Sequence, residues 1–523
     1  MTLVPIKPDG GRNSSMLSQL SKEKWTHDTA AHLAARAGFG ESPSRLEQWT
    51  RQGMEATIQE LLHPDNDTTA PPTSMVPNQF AELREQVQDA TSPDEKVQAR
   101  RTLRQAANRQ FFDLINWWTQ RMLTTSAPLV EKMALFWHGH FATSALKVRS
   151  PYKLWQQNET FRRHALGNFA MLTKAISRDP AMMVYLDLQT SQSQHPNENF
   201  ARELMELFTL GEGNYSEPDI KESARAFTGY RIDPFEQFRF VRNQFDGGAK
   251  TFLQQTGNWN GDQIIDIILK QPAAAKFISG KLWKFFAYED PDSQLIDKLA
   301  ELFRQNYEIR PLLETIFSSE EFYGQQAQDA IVKSPVQYVV QSGRTLGVNL
   351  PGGRTLFAVY RRLGQVPFYP PNVKGWDGGK SWINTATLTF RYQLARQLVL
   401  GIRLVNEQPA KAPLPSPSAQ PSPIAQASPS AEAKPATQMA SLTAQNAVRL
   451  PALQVDQLVT AEDRKDPEVA VRKIYARAFQ TTPDPQLFDR ILDVAKLKPL
   501  PLADDAIRDL VALIMMTPNY QVC

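Results

Sequence analysis

Five short segments concentrate the side chains with chemical potential. The first is Phe136-Trp137-His138-Gly139-His140-Phe141. Imidazole serves as acid, base or donor to a borderline divalent metal. Two histidines two positions apart point to opposite sides of a regular helix, so a shared ligand requires Gly139 to end or break it. On that condition His138 and His140 are candidate catalytic residues and metal ligands, and a divalent metal is the cofactor they would take. Aromatic neighbours equally suit two histidines hydrogen-bonded inside a core. The second segment runs Asn197-Glu198-Asn199-Phe200-Ala201-Arg202-Glu203-Leu204-Met205-Glu206-Leu207. On a helix Glu198 and Arg202 stand four apart and can pair, while Asn199 and Glu203 share a neighbouring face. Glu203 is a candidate general base, with Asn197, Glu198, Asn199 and Arg202 as binding groups. A capped, salt-bridged helix start explains the same residues without any function.

In the third segment, Asp219 to Tyr230, Asp219 suits a helix cap. Arg225, beside an apolar helix face, suits a carboxylate or a ligand anion. The fourth, Asp246-Gly247-Gly248-Ala249-Lys250-Thr251, offers Asp246 and Lys250 as binding groups at a hairpin turn. Its spacing fails the phosphate-loop pattern and no strand-to-helix context follows, which excludes a nucleotide site. The fifth is PFYPPNVKGWDGGKSWIN, residues 367–384. Tyr369, Trp376 and Trp382 supply flat rings, and Asp377 and Asn384 supply orienting polar groups, the ingredients of a sugar or peptide platform. A long loop pinned by its aromatics is the plainer account. No Gly-x-Ser-x-Gly elbow, His-Glu-x-x-His pair or dinucleotide fingerprint occurs.

These segments need a scaffold, and the composition describes an ordinary globular one. Of 523 residues, 41% are apolar and 22% charged, and the formal net charge is only +3, which argues against a general nucleic-acid binder. Arg100, Arg101, Arg104 and Arg109 fit the solvated face of a helix. One cysteine, Cys523, excludes an intrachain disulfide and a thiolate cluster. No apolar run reaches membrane-spanning length, and the first 25 residues lack a secretory pattern, so the expected location is cytoplasmic.

The periodicity predicts a mainly α protein: a multi-helix body, one small β-hairpin, and a Pro/Ser/Ala-rich linker before a C-terminal helical piece. Residues 1–20 are expected to be disordered, 21–408 to form the main domain, 409–464 the linker and 465–523 the last helices. Ser42-Pro43 and Ser216-Glu217-Pro218-Asp219 read as helix starts. Phe111, Leu114, Ile115, Trp118 and Met122 form one apolar helix face. The hairpin is expected within residues 235–257, turning at Asp246-Gly247-Gly248. IRPLLETIFSSEEF, residues 309–322, is echoed by IRDLVALIMMTPNY, residues 507–520.

Taken in order, the motifs resemble the bacterial family called "domain of unknown function 1800". The resemblance rests on His32-Leu33 with Arg36-Ala37-Gly38-Phe39-Gly40, on Phe136 to Phe141, and on Asn197-Glu198-Asn199 through Leu210-Gly211. It continues in Ala224 to Tyr230, Asp246 to Thr251, Lys333-Ser334-Pro335 and the Gly375-Trp376 loop. It implies a helical body, frequent export in other members, and frequent pairing with an alkaline-phosphatase- or sulfatase-like companion. Many members carry His where this chain has Phe208 and Phe245. If those imidazoles build a metal site, this chain has lost part of it.

Two functional classes follow. In one, the chain is a helical scaffold or binding protein, working with a phosphatase- or sulfatase-like companion or on an envelope polymer. In the other, it is a metal-assisted or carboxylate-dependent hydrolase of a glycan or ester-bearing polymer. The scaffold reading is preferred, because no complete catalytic constellation is written in the sequence.

Overall fold

Helices in this chain start on a repeated local rule. Ser42, Ser92, Ser150, Asp179, Ser334, Asp466 and Asp484 each accept a first-turn backbone N–H, and each is followed by proline at the first helical position. The side chain satisfies a donor the helix leaves open, and proline lacks the N–H that would be wasted there. Asp219 likewise accepts the backbone N–H and the hydroxyl of Ser216.

The computed structural model describes residues 16–65, 70–402 and 450–523. It is mainly α. Helices α1 (His27–Ala37), α2 (Pro43–Gln52) and α3 (Met54–Leu62) precede a helical hairpin of α4 (Ala81–Asp89) and α5 (Pro93–Thr124). Then come α6 (Pro128–His140), α7 (Ala145–Val148), α8 (Pro151–Arg163), α9 (Phe169–Ser177), α10 (Pro180–Tyr185), α11 (Glu198–Glu203) and α12 (Glu217–Ala226). After the hairpin region follow α13 (Gly261–Leu269), α14 (Pro272–Phe286), α15 (Ser293–Arg304), α16 (Ile309–Ser318), α17 (Glu320–Tyr323), α18 (Pro335–Leu346), α19 (Gly353–Leu363) and α20 (Thr385–Leu400). The last three are α21 (Pro467–Phe479), α22 (Pro485–Lys496) and α23 (Asp504–Met515). In α5 the four arginines 100, 101, 104 and 109 are exposed, and burial begins at Gln110 and Phe111, where the apolar periodicity begins. No helix among the described residues is long and apolar enough to cross a membrane.

The β structure differs in detail from the single hairpin read above. Two antiparallel hairpins are present: β1 (Tyr230–Ile232) with β2 (Phe238–Phe240), and β3 (Lys250–Phe252) with β4 (Gln255–Gly257). Asp246-Gly247-Gly248 connects them and is not a turn. The reason is Arg225, whose guanidinium takes both Asp246 oxygens at 2.7 and 3.2 Å and ties the segment to α12. The turns lie instead at Asp233, whose carboxylate accepts the N–H groups of Phe235 and Gln237, and at Leu253-Gln254, both at positive φ (43° and 65°).

Two boundaries move as well. Of the N-terminal segment expected to be disordered, residues 16–20 are described and held: the Leu20 N–H bonds the Ser318 carbonyl and the Leu17 N–H bonds Glu321. Of the expected linker, residues 409–449 lie outside the described residues, whereas Leu450, Leu453, Val455, Leu458 and Val459 are buried. Burial over residues 450–459 follows the apolar side chains. The C-terminal helices share the core of the rest: α23 packs on α20, and the Lys333 amine donates to the Tyr520 carbonyl at 2.9 Å. The two echoing sequences end alike. Ser319 and Thr517 each turn their hydroxyl back onto the carbonyl three residues earlier, and Phe322 and Tyr520 are each buried just beyond.

Candidate functional site

His138-Gly139-His140 forms the last turn of α6. The helix does not break at Gly139, because the Phe141 N–H still reaches the Trp137 carbonyl at 2.8 Å across it. The imidazoles therefore diverge and meet different neighbours, which corrects the condition on which a shared ligand was expected. Nε2 of His138 accepts the backbone N–H of Phe368 at 2.9 Å, which places the ring proton on Nδ1. The ring lies among Trp118, Phe161, Phe368 and Trp376, and burial holds its pKa down at about 3. It is neutral at every ordinary pH. Nε2 of His140 donates to the Phe208 carbonyl at 3.0 Å, and Nδ1 accepts from the Lys281 amine at 3.3 Å. Burial, and then the nearby Lys281 charge, keep His140 well below the usual imidazole range.

Both histidines are thus sealed into packing, yet each fastens one of two neighbouring walls. The wall held by His140 is α11 and its continuation, Leu204–Thr209, a wider π-type turn in which the Leu210 N–H reaches back five residues to Met205. Such a turn rotates the side chains that follow it and frees carbonyls at the helix end. Asn197 caps this helix through the Asn199 N–H, and Asn199 itself is exposed. Glu198 lies 3.8 Å from Arg202, but Arg202 grips Glu217 of α12 more closely, at 2.8 and 3.0 Å. Glu203 is half-buried. Burial and the neighbouring Glu206 raise its pKa to about 7, against the opposing pull of Arg202 and Lys374. Glu206 accepts a hydrogen bond from Tyr215 at 2.9 Å.

The wall held by His138 is the loop from Val366 to Trp382. Phe368 sits at φ +68°, and its carbonyl in turn receives the Ala145 N–H. Farther along, Gly375 lies so close to the end of α6 that a Cβ would collide with the Gly139 carbonyl oxygen. Trp376 then places its half-buried ring 5.7 Å from His138, centre to centre. Lys374, two residues earlier, joins Arg202 in opposing the upward shift of Glu203. The structure therefore brings together the loop carrying Trp376, the end of α6 and the helix carrying Glu203.

The remaining predicted residues have other places. Arg225, Asp246 and Lys250 form their own cluster. Lys250 is buried and donates to the Asp246 and Gly248 carbonyls, and Arg225 also binds Glu222. Trp382 is buried, Asn384 caps α20 through the Thr387 N–H, and Asp377 is exposed. Lys281, Glu206, Tyr215 and Phe368 were not singled out in the sequence. Glu206 and Phe368 lie inside quoted segments without having been given a role there, and Tyr215 lies near one, but Lys281 belongs to an amphipathic helix with no distinguishing spacing. Among the described residues, no group of three His, Cys, Asp or Glu side chains stands ready to hold a metal ion.

The model of a family described as "Protein of unknown function (DUF1800)" matches residues 32–522. The chain belongs to the DUF1800 family. No curated protein and no solved structure matches it. The match spans every segment of this DUF1800 protein that was weighed for chemistry. The two phenylalanines noted above have separate surroundings: Phe208 is buried 6.1 Å from the His140 ring, whereas Phe245 packs on Phe240 and beneath the Lys250 amine.

Proposed function

We propose that this DUF1800 protein is a binding protein, whose recognition surface is the seam between the Trp376 loop and the helix of Glu203. Its ligand is a hydroxyl-rich polymer such as a glycan. The reading rests on one observation: Trp376 is braced on His138 by a loop seated against α6, and Lys374 of that loop acts on the half-buried Glu203 carboxyl, which is about half protonated near neutrality. An indole offers stacking area to a sugar face, and a carboxyl both donates and accepts hydrogen bonds to hydroxyls. The two histidines act as fasteners in this account. Affinity electrophoresis against a panel of neutral and acidic polysaccharides tests it. Trp376→Ala and Glu203→Gln are expected to weaken retardation at least ~tenfold, the order of one lost aromatic or charge-assisted contact. Retardation by no polymer, or retardation of both variants equal to that of the parent protein, overturns the reading.

Glu203 also favours a second reading, carboxylate-dependent hydrolysis. A carboxyl with pKa about 7 beside another carboxylate matches the pairing in which one group gives a proton and the other stays ionised. Release of soluble products from a bound polymer, abolished in Glu203→Gln with binding retained, distinguishes this reading from the first.

A further inference from the structure

Gln19 pairs with Ser319, at the junction of α16 and α17, as one antiparallel bridge. The two bonds that hold the bridge come from its neighbours: the Leu20 N–H reaches the Ser318 carbonyl and the Glu320 N–H reaches the Ser18 carbonyl, both at 2.8 Å. In a pair of this kind the N–H and C=O of the central residue point away from the partner segment. Gln19 is exposed, and among the described residues neither its N–H nor its C=O has a hydrogen-bond partner.

That free edge borders a cleft of about 750 Å³, between residues 19–25 and the α2–α3 junction. The volume suits a ligand rather than a few waters. Leu20, Trp25 and Met54 give the cleft a buried apolar floor. Lys22 on one wall and Glu55 on the other are exposed, and neither belongs to an ion pair among the described residues.

We infer that this cleft binds a short extended peptide with free ends, taken up as an added strand. The inference does not rest on the Trp376 seam. One peptide residue exchanges both main-chain hydrogen bonds with Gln19, as strand addition requires. An apolar side chain of the peptide rests on Leu20, Trp25 and Met54. The carboxylate end meets Lys22 and the ammonium end meets Glu55, so the two unpaired charges fix its direction. A small amphiphile would use the floor alone and leave the Gln19 edge idle.

The test presents the full chain with an equimolar library of hexapeptides with free ends. Retained members are identified by mass spectrometry, and the most enriched is titrated by calorimetry. An apolar residue is expected in the middle of the retained sequences, and exchange of the Gln19 amide should slow in the complex. Gln19→Pro removes that N–H and leaves the Leu20 and Ser18 bonds in place. It should melt close to the parent protein and bind the selected peptide about threefold to tenfold more weakly, the order of one lost hydrogen bond. Ala56→Trp, at an exposed position of α3 lining the cleft, should block binding by filling it. Enrichment of no peptide, or full affinity in either variant, overturns the inference.

Discussion

His138 and Phe368 lie 230 positions apart in the chain and are joined by a 2.9 Å bond from the Phe368 N–H to the imidazole Nε2. That bond holds Phe368 at positive φ, conformationally costly for a phenylalanine, within the loop that carries Trp376. The imidazole acts as an acceptor buried in aromatic packing, a role that requires it to stay uncharged.

Removing the ring should therefore loosen the loop before it unfolds the protein. His138→Ala leaves a buried N–H without its partner and opens a cavity among Trp118, Phe161 and Phe368. The expected loss is about 2–4 kcal/mol in denaturant unfolding. Hydrogen exchange should rise first over residues 366–377. Unchanged protection there would mean that the imidazole does not fasten the loop.

Acid should attack a different place. Glu131 is fully buried between Arg121 and Arg162, with N–O distances of 2.5 and 2.6 Å, and Trp118 donates to it at 2.8 Å. Burial raises its pKa, but the two guanidinium groups outweigh that and leave it below the usual carboxylate value of 4.5. A depressed folded pKa contributes stability that is present above about pH 4.5 and lost as pH falls through the folded value. Glu131→Gln should cost about 3–5 kcal/mol at pH 7, because the guanidinium groups of Arg121 and Arg162 lose the buried carboxylate between them, although Arg162 keeps Glu159. Melting curves of parent and variant should converge as the pH drops below 4. Parallel curves would show that the network is not the acid-sensitive element.

Much of the scaffold was legible from residue order, and the reasons are local. Ser-Pro and Asp-Pro pairs announce helix starts, and the Phe111 to Met122 periodicity marks where α5 meets the core. The second hairpin and the burial of Leu450 to Val459 were not legible. Both depend on long-range partners: Arg225 for the Asp246 segment, and the Val399 carbonyl for the Leu453 N–H. The candidate site was half legible. Trp376 and Glu203 announce themselves by residue type and neighbours, but what fastens them does not. The direction of the two imidazoles depended on whether Gly139 broke a helix, and glycine permits either outcome. Lys281 became visible only when α14 was placed against the end of the Leu204–Thr209 turn.

A basic pH effect is expected from Asp179, which caps α10 from a fully buried position. Burial, only partly offset by the Met182 N–H and Gln157, raises its pKa to about 7. A raised folded pKa contributes stability that is complete below the unfolded value of 3.8 and is lost as pH rises through about 7. Asp179→Asn keeps the capping oxygen and removes the ionisation. Its advantage over the parent protein should grow between pH 4 and 7 and then level, on the order of 1–3 kcal/mol. A constant difference across that range would deny the titration.

The seating of the Trp376 loop can be probed with two glycines three residues apart. Gly375 and Gly378 both lie in the left-handed region, at φ +84° and +76°. Alanine at either position meets an intrinsic backbone cost of at least roughly 1–2 kcal/mol, and Gly378, at ψ −168°, lies in a region that glycine alone adopts readily. The surroundings differ: a Cβ on Gly378 meets open space, whereas one on Gly375 collides with the Gly139 carbonyl, which α6 cannot move without losing its last turn. Gly378→Ala should therefore lose no more than the intrinsic cost and leave Trp376 fluorescence unchanged. Gly375→Ala should lose a further ~1–3 kcal/mol and shift the indole emission to the red, as the ring leaves His138 for water. An unshifted indole emission in Gly375→Ala would place the loop away from α6, and the proposed recognition surface would lose one of its walls.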